Sequence, residues 1–491
     1  MWGMGRWGLQ RWIGIVVLVI VAVAGGLIWL AVSMQRLRLA PPQEGILFNT
    51  WHFLFNSTVP TPWLLLLGVA AILLIAAAVA LVEFRTASRD RRSLDAKHLP
   101  LSPRVVMGET RGVYAGPVTI TVLVPAHNEE ASLPGTLRSL WTQSRPPDRI
   151  IVVADNCTDR TPELAVEGGA EVFVTVDNDK KKAGGLNQVL KRVLPGQGDN
   201  DTLMIMDADT ELDDGFLAEA ERRFTEDRGL MAVGGLFYGE EGHGLIGQCQ
   251  RNEYVRYSRD LKRRRGQVFV LTGTASLFRP RALRTVAESR GTRIPGITGD
   301  VYDTLALTED NELTIALKSL GALMISPAGC TVVTELMPSW KTLWNQRMRW
   351  QRGALENIGA YSVTRETFRY WSQQIGIGYG VVALFGYFAA MFVLIVAADR
   401  WIWFPFWLGI GLVFMLERVV TVWKGGWRAR LLAVTLFPEL FFAAFLDLVY
   451  VKSIIDITTG RKAQWTHVEH PTGPMARGAD AGRAGPAAGG R

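Results

Sequence analysis

The amino-acid sequence predicts an α/β domain built on a mostly parallel sheet and joined to an α-helical transmembrane bundle. Two observations lead there. Through the middle of the chain, strand-like apolar runs alternate with helical stretches, the pattern of a parallel sheet with helices on both faces. Outside that middle, several stretches carry no charge over about 20 residues, the length a helix needs to cross a bilayer. With 491 residues, 48% of them hydrophobic, and 17 Trp, the chain is too long for one compact domain and too apolar to lie wholly in water.

Taken in order, residues 1–36 hold the first charge-free run, Trp12 to Met34, behind Arg6 and Arg11. It is longer than the apolar core of a signal peptide and a second run follows soon, so a retained anchor is expected. Residues 37–61 form an extracytoplasmic loop and 62–84 the second transmembrane helix, with Pro62 to Val82 uncharged. The linker 85–117 carries Arg85, Arg89, Arg91, Arg92, Lys97 and Arg104, and basic residues crowd on the cytoplasmic side of a span. The α/β domain covers 118–338 and is followed by interfacial helices at 339–369.

Residues 370–460 hold C-terminal transmembrane or interfacial helices: an uncharged run from Tyr370 to Ala398 and a shorter one from Trp401 to Leu416. The basic cluster Arg418, Lys424, Arg428 and Arg430 then returns the chain to the cytoplasm. A last apolar region, Leu431 to Val451, contains Pro438, Glu439 and Asp447; lone charges are costly in hydrocarbon, so four or five spans both stay open. The tail 461–491, rich in Gly, Ala, Pro and Arg, is expected to be disordered.

A net charge of +7, gathered in basic linkers, suits a protein pressed against anionic lipid headgroups. No basic groove with interleaved aromatics is present, so no nucleic-acid partner is expected. The three cysteines, Cys157, Cys249 and Cys330, imply neither a disulfide nor a zinc framework.

Within the α/β domain, strands are predicted at Thr119–Val124, Arg149–Ala154, Glu171–Val176 and Thr202–Met206, and helices at Glu130–Trp141, Ala183–Val193 and Gly215–Phe224. The stretch Leu203 to Asp213 runs from a buried strand into Asp207 and Asp209. Carboxylates at the carboxyl end of such a strand face the crevice where α/β folds bind ligands, and hard oxygens suit Mg2+ or Mn2+ shared with substrate phosphates. The first strand ends in Pro125-Ala126-His127-Asn128-Glu129-Glu130, where Pro stops the ladder, and the second in Asp155-Asn156. Three strand ends thus aim polar groups at one crevice, close to helix starts that favour phosphate.

On these residues the chain resembles the membrane-embedded family 2 glycosyltransferases, the group of cellulose, chitin, hyaluronan and poly-N-acetylglucosamine synthases. The resemblance runs from about Thr119 to Gly353, and implies a GT-A-like domain between two leading spans and several trailing ones. It implies that Asp155 contacts the uracil of a UDP-sugar and that Pro125, Asn128 and Glu129 line the nucleotide. Lys182-Ala183-Gly184-Gly185-Leu186-Asn187 matches the family's Lys-Ala-Gly-x-Leu-Asn element, with Lys182 toward the diphosphate and Asn187 counted among the substrate-binding residues. Asp207 and Asp209 match its Asp-x-Asp, the second binding metal and the first approaching the ribose.

Two further matches carry the chemistry: Thr308-Glu309-Asp310, whose last residue is the base in the family, and Gln346-Arg347-Met348-Arg349-Trp350, which fits Gln-x-x-Arg-Trp. Inverting transfer needs a carboxylate to take the proton of the attacking hydroxyl while cations stabilise the departing diphosphate. Asp310 is the candidate base, at the start of a helix over Asn311–Ser319 whose dipole is expected to favour its ionised form and weaken its basicity. Gln346, Arg349 and Trp350 share a helix over Ser339–Arg352, where Arg349 meets leaving-group charge and Trp350 offers a flat surface to a sugar ring. Thr272-Gly273-Thr274 resembles the family's small-residue segment beside the acceptor, and places Gly273, Thr274 and Glu309 with the substrate-binding residues. Arg251 to Gly266 is expected to be a basic helix on lipid headgroups, and His243 an ordinary loop histidine.

The expected activity is inverting transfer of a sugar from a UDP-sugar onto a growing β-linked polysaccharide at the cytoplasmic face of the cell membrane. The expected partners are a saccharide or lipid acceptor, membrane lipids and an accessory export subunit. Two alternatives stay open: transfer of one sugar onto a membrane lipid, and a non-catalytic membrane scaffold that keeps the fold.

Overall fold

The computed structural model describes residues 41–57, 99–110, 118–264, 266–397 and 401–461. The expected spans Trp12–Met34 and Pro62–Val82, most of the basic linker and the tail from 462 lie outside the described residues.

A hairpin of β1 (Gln43–Leu47) and β2 (Trp51–Phe55) precedes a short helix, α1 (Pro103–Glu109). The domain then runs β3 (Thr119–Ala126), α2 (Leu133–Trp141), β4 (Arg149–Ala154), α3 (Thr161–Glu167), β5 (Glu171–Val174), α4 (Lys181–Val193) and β6 (Asp201–Met206). After it come β7 (Thr210–Leu212), α5 (Phe216–Glu226), β8 (Leu230–Gly234), β9 (Leu236–Gly239), α6 (Gly244–Arg263), β10 (Ala275–Phe278) and α7 (Pro280–Ser289). The last part holds α8 (Glu309–Ser319), β11 (Leu323–Ile325), β12 (Thr331–Thr334), α9 (Trp340–Tyr361), α10 (Phe368–Ala397), β13 (Ile402–Trp403), α11 (Pro405–Thr421), α12 (Gly426–Thr435) and α13 (Phe437–Thr458).

Seven strands form the main sheet in the order β11-β8-β10-β6-β3-β4-β5. β6, β3, β4 and β5 are parallel, as the alternation predicts; the first three are buried on both faces, while β5 is a half-exposed edge strand. β10 departs from that expectation: it runs antiparallel to both β6 and β8, so the sheet is mixed. Alternate residues of β3 feed two cores, Leu123 packing with Leu186 and Leu190 of α4, and Ile120, Val122 and Val124 with Leu137 of α2 and Phe216 of α5. A second sheet, β7-β12-β9, lies beside the carboxyl end of β6.

Pro125 corrects the expectation that proline ends the first strand. The strand continues to Ala126, with Pro125 opposite Val153 on β4, while its pairing with β6 has already finished at Leu123. The missing N–H therefore costs the ladder to β6 nothing.

The C-terminal helices also differ from the reading of their sequence. The run expected from Trp401 opens as a strand, β13, which adds to β2 in parallel and closes a three-stranded sheet with the 43–55 hairpin. Glu439 is no lone charge: it is buried, accepts two hydrogen bonds of 2.6 Å from Arg256 and takes another from Asn252, both on α6. Arg259 donates to the Val420 carbonyl at the end of α11. The basic helix expected on lipid headgroups thus docks on the C-terminal helices of its own chain. Among the described residues no single helix is long and apolar enough to cross a membrane, but α11 and the segment Trp423–Thr435, bent by 60°, are so together. Large apolar side chains on α10, α11 and α13 stand exposed, among them Phe392, Phe414 and Phe441.

Candidate active site

The crevice at the carboxyl ends of β3, β4 and β6 collects the predicted residues, and the antiparallel run of β10 explains why. β10 begins at Ala275 opposite Met206, the last residue of β6, so the segment entering it arrives where Asp207 leaves. The Asp207 amide donates to the Thr274 carbonyl at 3.2 Å. Gly273 sits at the centre: a side-chain carbon there would lie 3.4 Å from the Lys182 ammonium, 3.5 Å from an Asp310 oxygen and 3.6 Å from an Asp207 oxygen. Residues spread over more than a hundred positions of sequence thus meet around one small residue.

Lys182, in the first turn of α4, donates to Asp207 at 2.6 Å and pairs with Glu309 at 3.0 Å. Burial works against its charge, yet Asp207, Glu309 and Asp310 together hold the ammonium well above the usual lysine range. Burial likewise favours the neutral form of Glu309, but Lys182 and Arg349 keep its carboxyl below the usual value. Asp310 goes the other way. Burial first, and then the charge of Glu309, push its carboxyl up to about 6, although Lys182 opposes them. The helix dipole was expected to weaken this base; desolvation and a like charge next to it prevail.

Asp209 is pushed further, to about 7, by burial and then by Asp207, Glu129 and Glu335. Carboxylates crowded in this way fit a divalent cation, which would relieve the repulsion that their hard oxygens create. Among the described residues no group of three or more His, Cys, Asp or Glu side chains is arranged to hold a metal ion, so Asp207 and Asp209 would share it with oxygens of the ligand.

The loops after β3, β4 and β5 are tied together at the other side of the crevice. The Asp155 Oδ1 accepts from Thr175, Asn178 and Asn156, at 2.8, 2.8 and 3.2 Å. Asn128, with φ 58°, accepts from the Thr158 amide at 2.7 Å and so pins the end of β3 to the end of β4. Glu129 accepts from Ser132 at 2.5 Å, and its amide donates to Thr161. Asn187 requires a correction. Its buried amide donates to the Tyr302 carbonyl at 2.9 Å and accepts from the Val301 and Tyr302 amides at 3.0 and 2.9 Å. Its oxygen and one amide hydrogen hold the loop before α8, which gives it a supporting role in the site.

Helix α9 begins with a capping box between Ser339 and Thr342. It brings Arg349 within electrostatic reach of Glu309 and of Lys181, whose ammonium is held below its ordinary range by burial and by Arg349. Trp350 is stacked by Arg347, whose guanidinium lies 4.2 Å from the indole and donates to Glu253 at 2.8 Å. The Gln346 Oε1 is buried and accepts no hydrogen bond from the described residues. Thr274 donates to Thr272 at 3.0 Å. His243 faces Glu240 at 3.1 Å.

Gly353 and Asn357 escaped the sequence reading. A side-chain carbon at Gly353 would fall 2.4 Å from the Thr308 hydroxyl, and Asn357 donates to both the Thr308 carbonyl and hydroxyl at 3.1 Å. They seat the Arg349 helix against the start of the Asp310 helix. A glycine four residues past Arg349, on the same helical face, is the signal that could have pointed there.

The sheet, the carboxylates at its strand ends and the two helices crossing above them define a sugar-transferase type of domain. Residues 121–287 match the family model described as glycosyl transferase family 2, and the chain carries a domain of that family. The match stops short of Asp310 and of the Arg349 helix, which rest on their motifs and on the geometry above. Over 244 residues the chain is 28% identical to poly-beta-1,6-N-acetyl-D-glucosamine synthase of Staphylococcus aureus (strain COL), which covers 48% of this chain. The chain spans about half, 55%, of the length of that relative. Among solved structures it is similar to a mannosyltransferase from Pyrobaculum calidifontis in complex with GDP-Man and Mn2+, at 15% identity and a TM-score of 0.47 over 77% of this chain and 100% of that one. It is also similar to glucosyl-3-phosphoglycerate synthase from Mycobacterium tuberculosis, solved with Mn2+, UDP and phosphoglyceric acid, at 18% identity and a TM-score of 0.33 over 54% of this chain and 84% of that one.

Proposed function

We propose that the chain is an inverting glycosyltransferase that moves a sugar from a UDP-sugar onto a growing β-linked polysaccharide at the cytoplasmic face of the cell membrane. The observation that carries this reading is the convergence of Lys182, Asp207 and Asp310 on Gly273. The Staphylococcus aureus relative, a polysaccharide synthase by name, favours a polymer as the product.

In this reading Asp310 removes the proton of the acceptor hydroxyl as its oxygen bonds to the anomeric carbon from the face opposite the leaving group. The bond from that carbon to the diphosphate breaks, and the configuration inverts. A carboxyl near 6 suits the task, because it is ionised at neutral pH yet more basic than an ordinary aspartate. Lys182 and Arg349 stand where negative charge would build on the diphosphate, and Trp350 offers its ring to the acceptor sugar. A bound Mg2+ or Mn2+, held by Asp207 and Asp209, would supply further charge stabilisation to the leaving diphosphate. Asp155, Asn128 and Glu129 line the nucleotide end, with the uracil at Asp155.

The membrane setting is supported by the uncharged runs, the basic linker behind the second of them, and the exposed apolar faces of α10, α11 and α13. Membrane lipids and an export subunit beyond them belong to the same reading. The test is turnover by the purified full chain with radiolabelled UDP-glucose, UDP-N-acetylglucosamine, UDP-glucuronate and GDP-mannose. High-molecular-weight product from one UDP-sugar is the expected result. A single sugar in the lipid phase would replace the polymerase by a lipid transferase, and no nucleotide release with any donor would leave a scaffold.

A further inference from the structure

Helix α8 has a polar stripe of which the transfer chemistry uses only the first member, Asp310. Asp310, Thr314 and Lys318 follow one another at intervals of four, so they line one face. All three bond the segment that ends in Gly273. The Gly273 amide donates to Asp310 at 3.2 Å. One turn on, the Leu271 amide donates to the Thr314 hydroxyl at 2.9 Å, and that hydroxyl donates back to the Asp310 carbonyl at 2.7 Å. A further turn on, the Lys318 ammonium donates to the carbonyls of Val268 and Phe269 at 2.8 and 3.0 Å. Residues 268–273 are therefore laid antiparallel along the helix, fastened at every turn.

The far end of the stripe is fastened to the first turn of α10. Lys318 donates to the Tyr370 hydroxyl at 2.8 Å, and that hydroxyl donates to the Phe269 carbonyl. The Phe269 and Tyr370 rings pack at 4.5 Å, with the Lys318 ammonium 4.9 Å from the Tyr370 ring. Thr314 is fully buried, so no water stands in for its hydroxyl without a rearrangement. From Asp310 to Lys318 the stripe spans about 12 Å of helix.

We propose that Thr314 and Lys318 are positioning residues that act through Asp310 and Gly273: they hold segment 268–274 in register with α8, and through Tyr370 tie that register to α10. The inference rests on the reading of Asp310 as the base and deepens it. Sliding the segment by a fraction of an ångström would move Gly273, and with it the gap between Asp310 and Lys182, while the nucleotide end built on Asp155 and Asn128 stays untouched.

The experiment measures kcat and the donor KM of the full chain for Thr314→Val, Lys318→Met and Tyr370→Phe, with Thr314→Ser as the conservative variant, alongside thermal unfolding. Misplacing a base in this way is expected to lower kcat about tenfold or more in T314V and K318M. The donor KM should stay within about twofold, since binding that is not made in the transition state alone is unchanged. Thr314→Ser keeps the hydroxyl and should restore most of kcat at unchanged KM. Amide exchange over 268–274 should quicken in T314V and not in T314S. Wild-type turnover with unchanged kcat in both T314V and K318M overturns the positioning role alone, as does a donor KM that rises in step with the loss of kcat. A variant that unfolds is judged by T314S and Y370F, where unchanged exchange and kcat in Y370F break the tie to α10. Absence of wild-type turnover with every donor overturns instead the reading of the site.

Discussion

Asp310 shows how far a residue can be read from its motif and where that reading stops. Its place beside Glu309 and ahead of an amphipathic run was legible, and so was the helix dipole. Its basicity was not, because burial and the fate of the Glu309 charge depend on Lys182, which arrives from α4. The carboxyl held near 6 gives a definite expectation: kcat should fall on acidification with an apparent midpoint near pH 6, the base being inactive when protonated. Glu309→Gln removes the first like charge and should move that limb to lower pH, whereas an unmoved limb would show that Glu309 does not set it. Asp209 supplies a second prediction. Its folded carboxyl stands near 7 against an ordinary 3.8, so the folded chain holds the proton more tightly than the unfolded one. The stability it contributes is full below about 3.8 and is lost as pH rises through about 7. A cation binds the ionised form, so the rise in Tm on adding Mn2+ should be larger at pH 8 than at pH 6, and Asp209→Asn should abolish the difference. An equal rise at both pH values would remove Asp209 from the metal site.

Among the elements, those with strong local patterns were legible, and those made by distant pairing were not. β3, β4 and β6 declared themselves as apolar runs because both their faces are buried. β7, β9, β11 and β12 are only three or four residues long, too short for a period to show, and exist because partners from afar bond them. The brace behind α8 is hidden in the same way. Arg290, fully buried, grips Glu312 with two hydrogen bonds of 2.8 Å and also bonds the carbonyls of Pro295, Asp300 and Val301, which no motif encodes. The seat of α9 on α8 allows a sharp test. In Gly353→Ala the new methyl would meet the short, branched side chain of Thr308, with all three nearest atoms between 2.4 and 3.1 Å, and the helix must move away. Such overpacking costs about 1–3 kcal/mol, and the displacement of Arg349 should lower kcat by about tenfold or more. Pairing it with Thr308→Ala, which removes the obstructing atoms, should recover part of the loss; no recovery would mean that Gly353 matters for some other contact.

At the scale of the molecule, the question is how the sugar-transferase domain is held to the C-terminal helices. The sequence suggested α6 on lipid and Glu439 as a costly charge, because a partner 183 residues away cannot be seen from composition. In the structure Arg256 reaches Glu439 across the junction, Asn252 adds a hydrogen bond at 2.9 Å, and Arg256 also donates to Thr421 at 3.2 Å. The Glu439 side chain is only 6% exposed, so these hydrogen bonds replace the water it has lost. Removing Arg256 leaves the buried Glu439 carboxylate with Asn252 alone, a loss of about 3–5 kcal/mol, and removing Glu439 leaves the part-buried Arg256 with Thr421, whereas removing both leaves no unpaired charge. Arg256→Met and Glu439→Gln should therefore each lower stability sharply, and the loss in the double variant should be well below the sum of the two single losses. The singles should also loosen amide exchange along α6 and α13 together, since the pair links the two helices. Strict additivity, with exchange changed on one helix only, would mean that the domain is carried by the apolar contacts around it and that the ion pair is incidental.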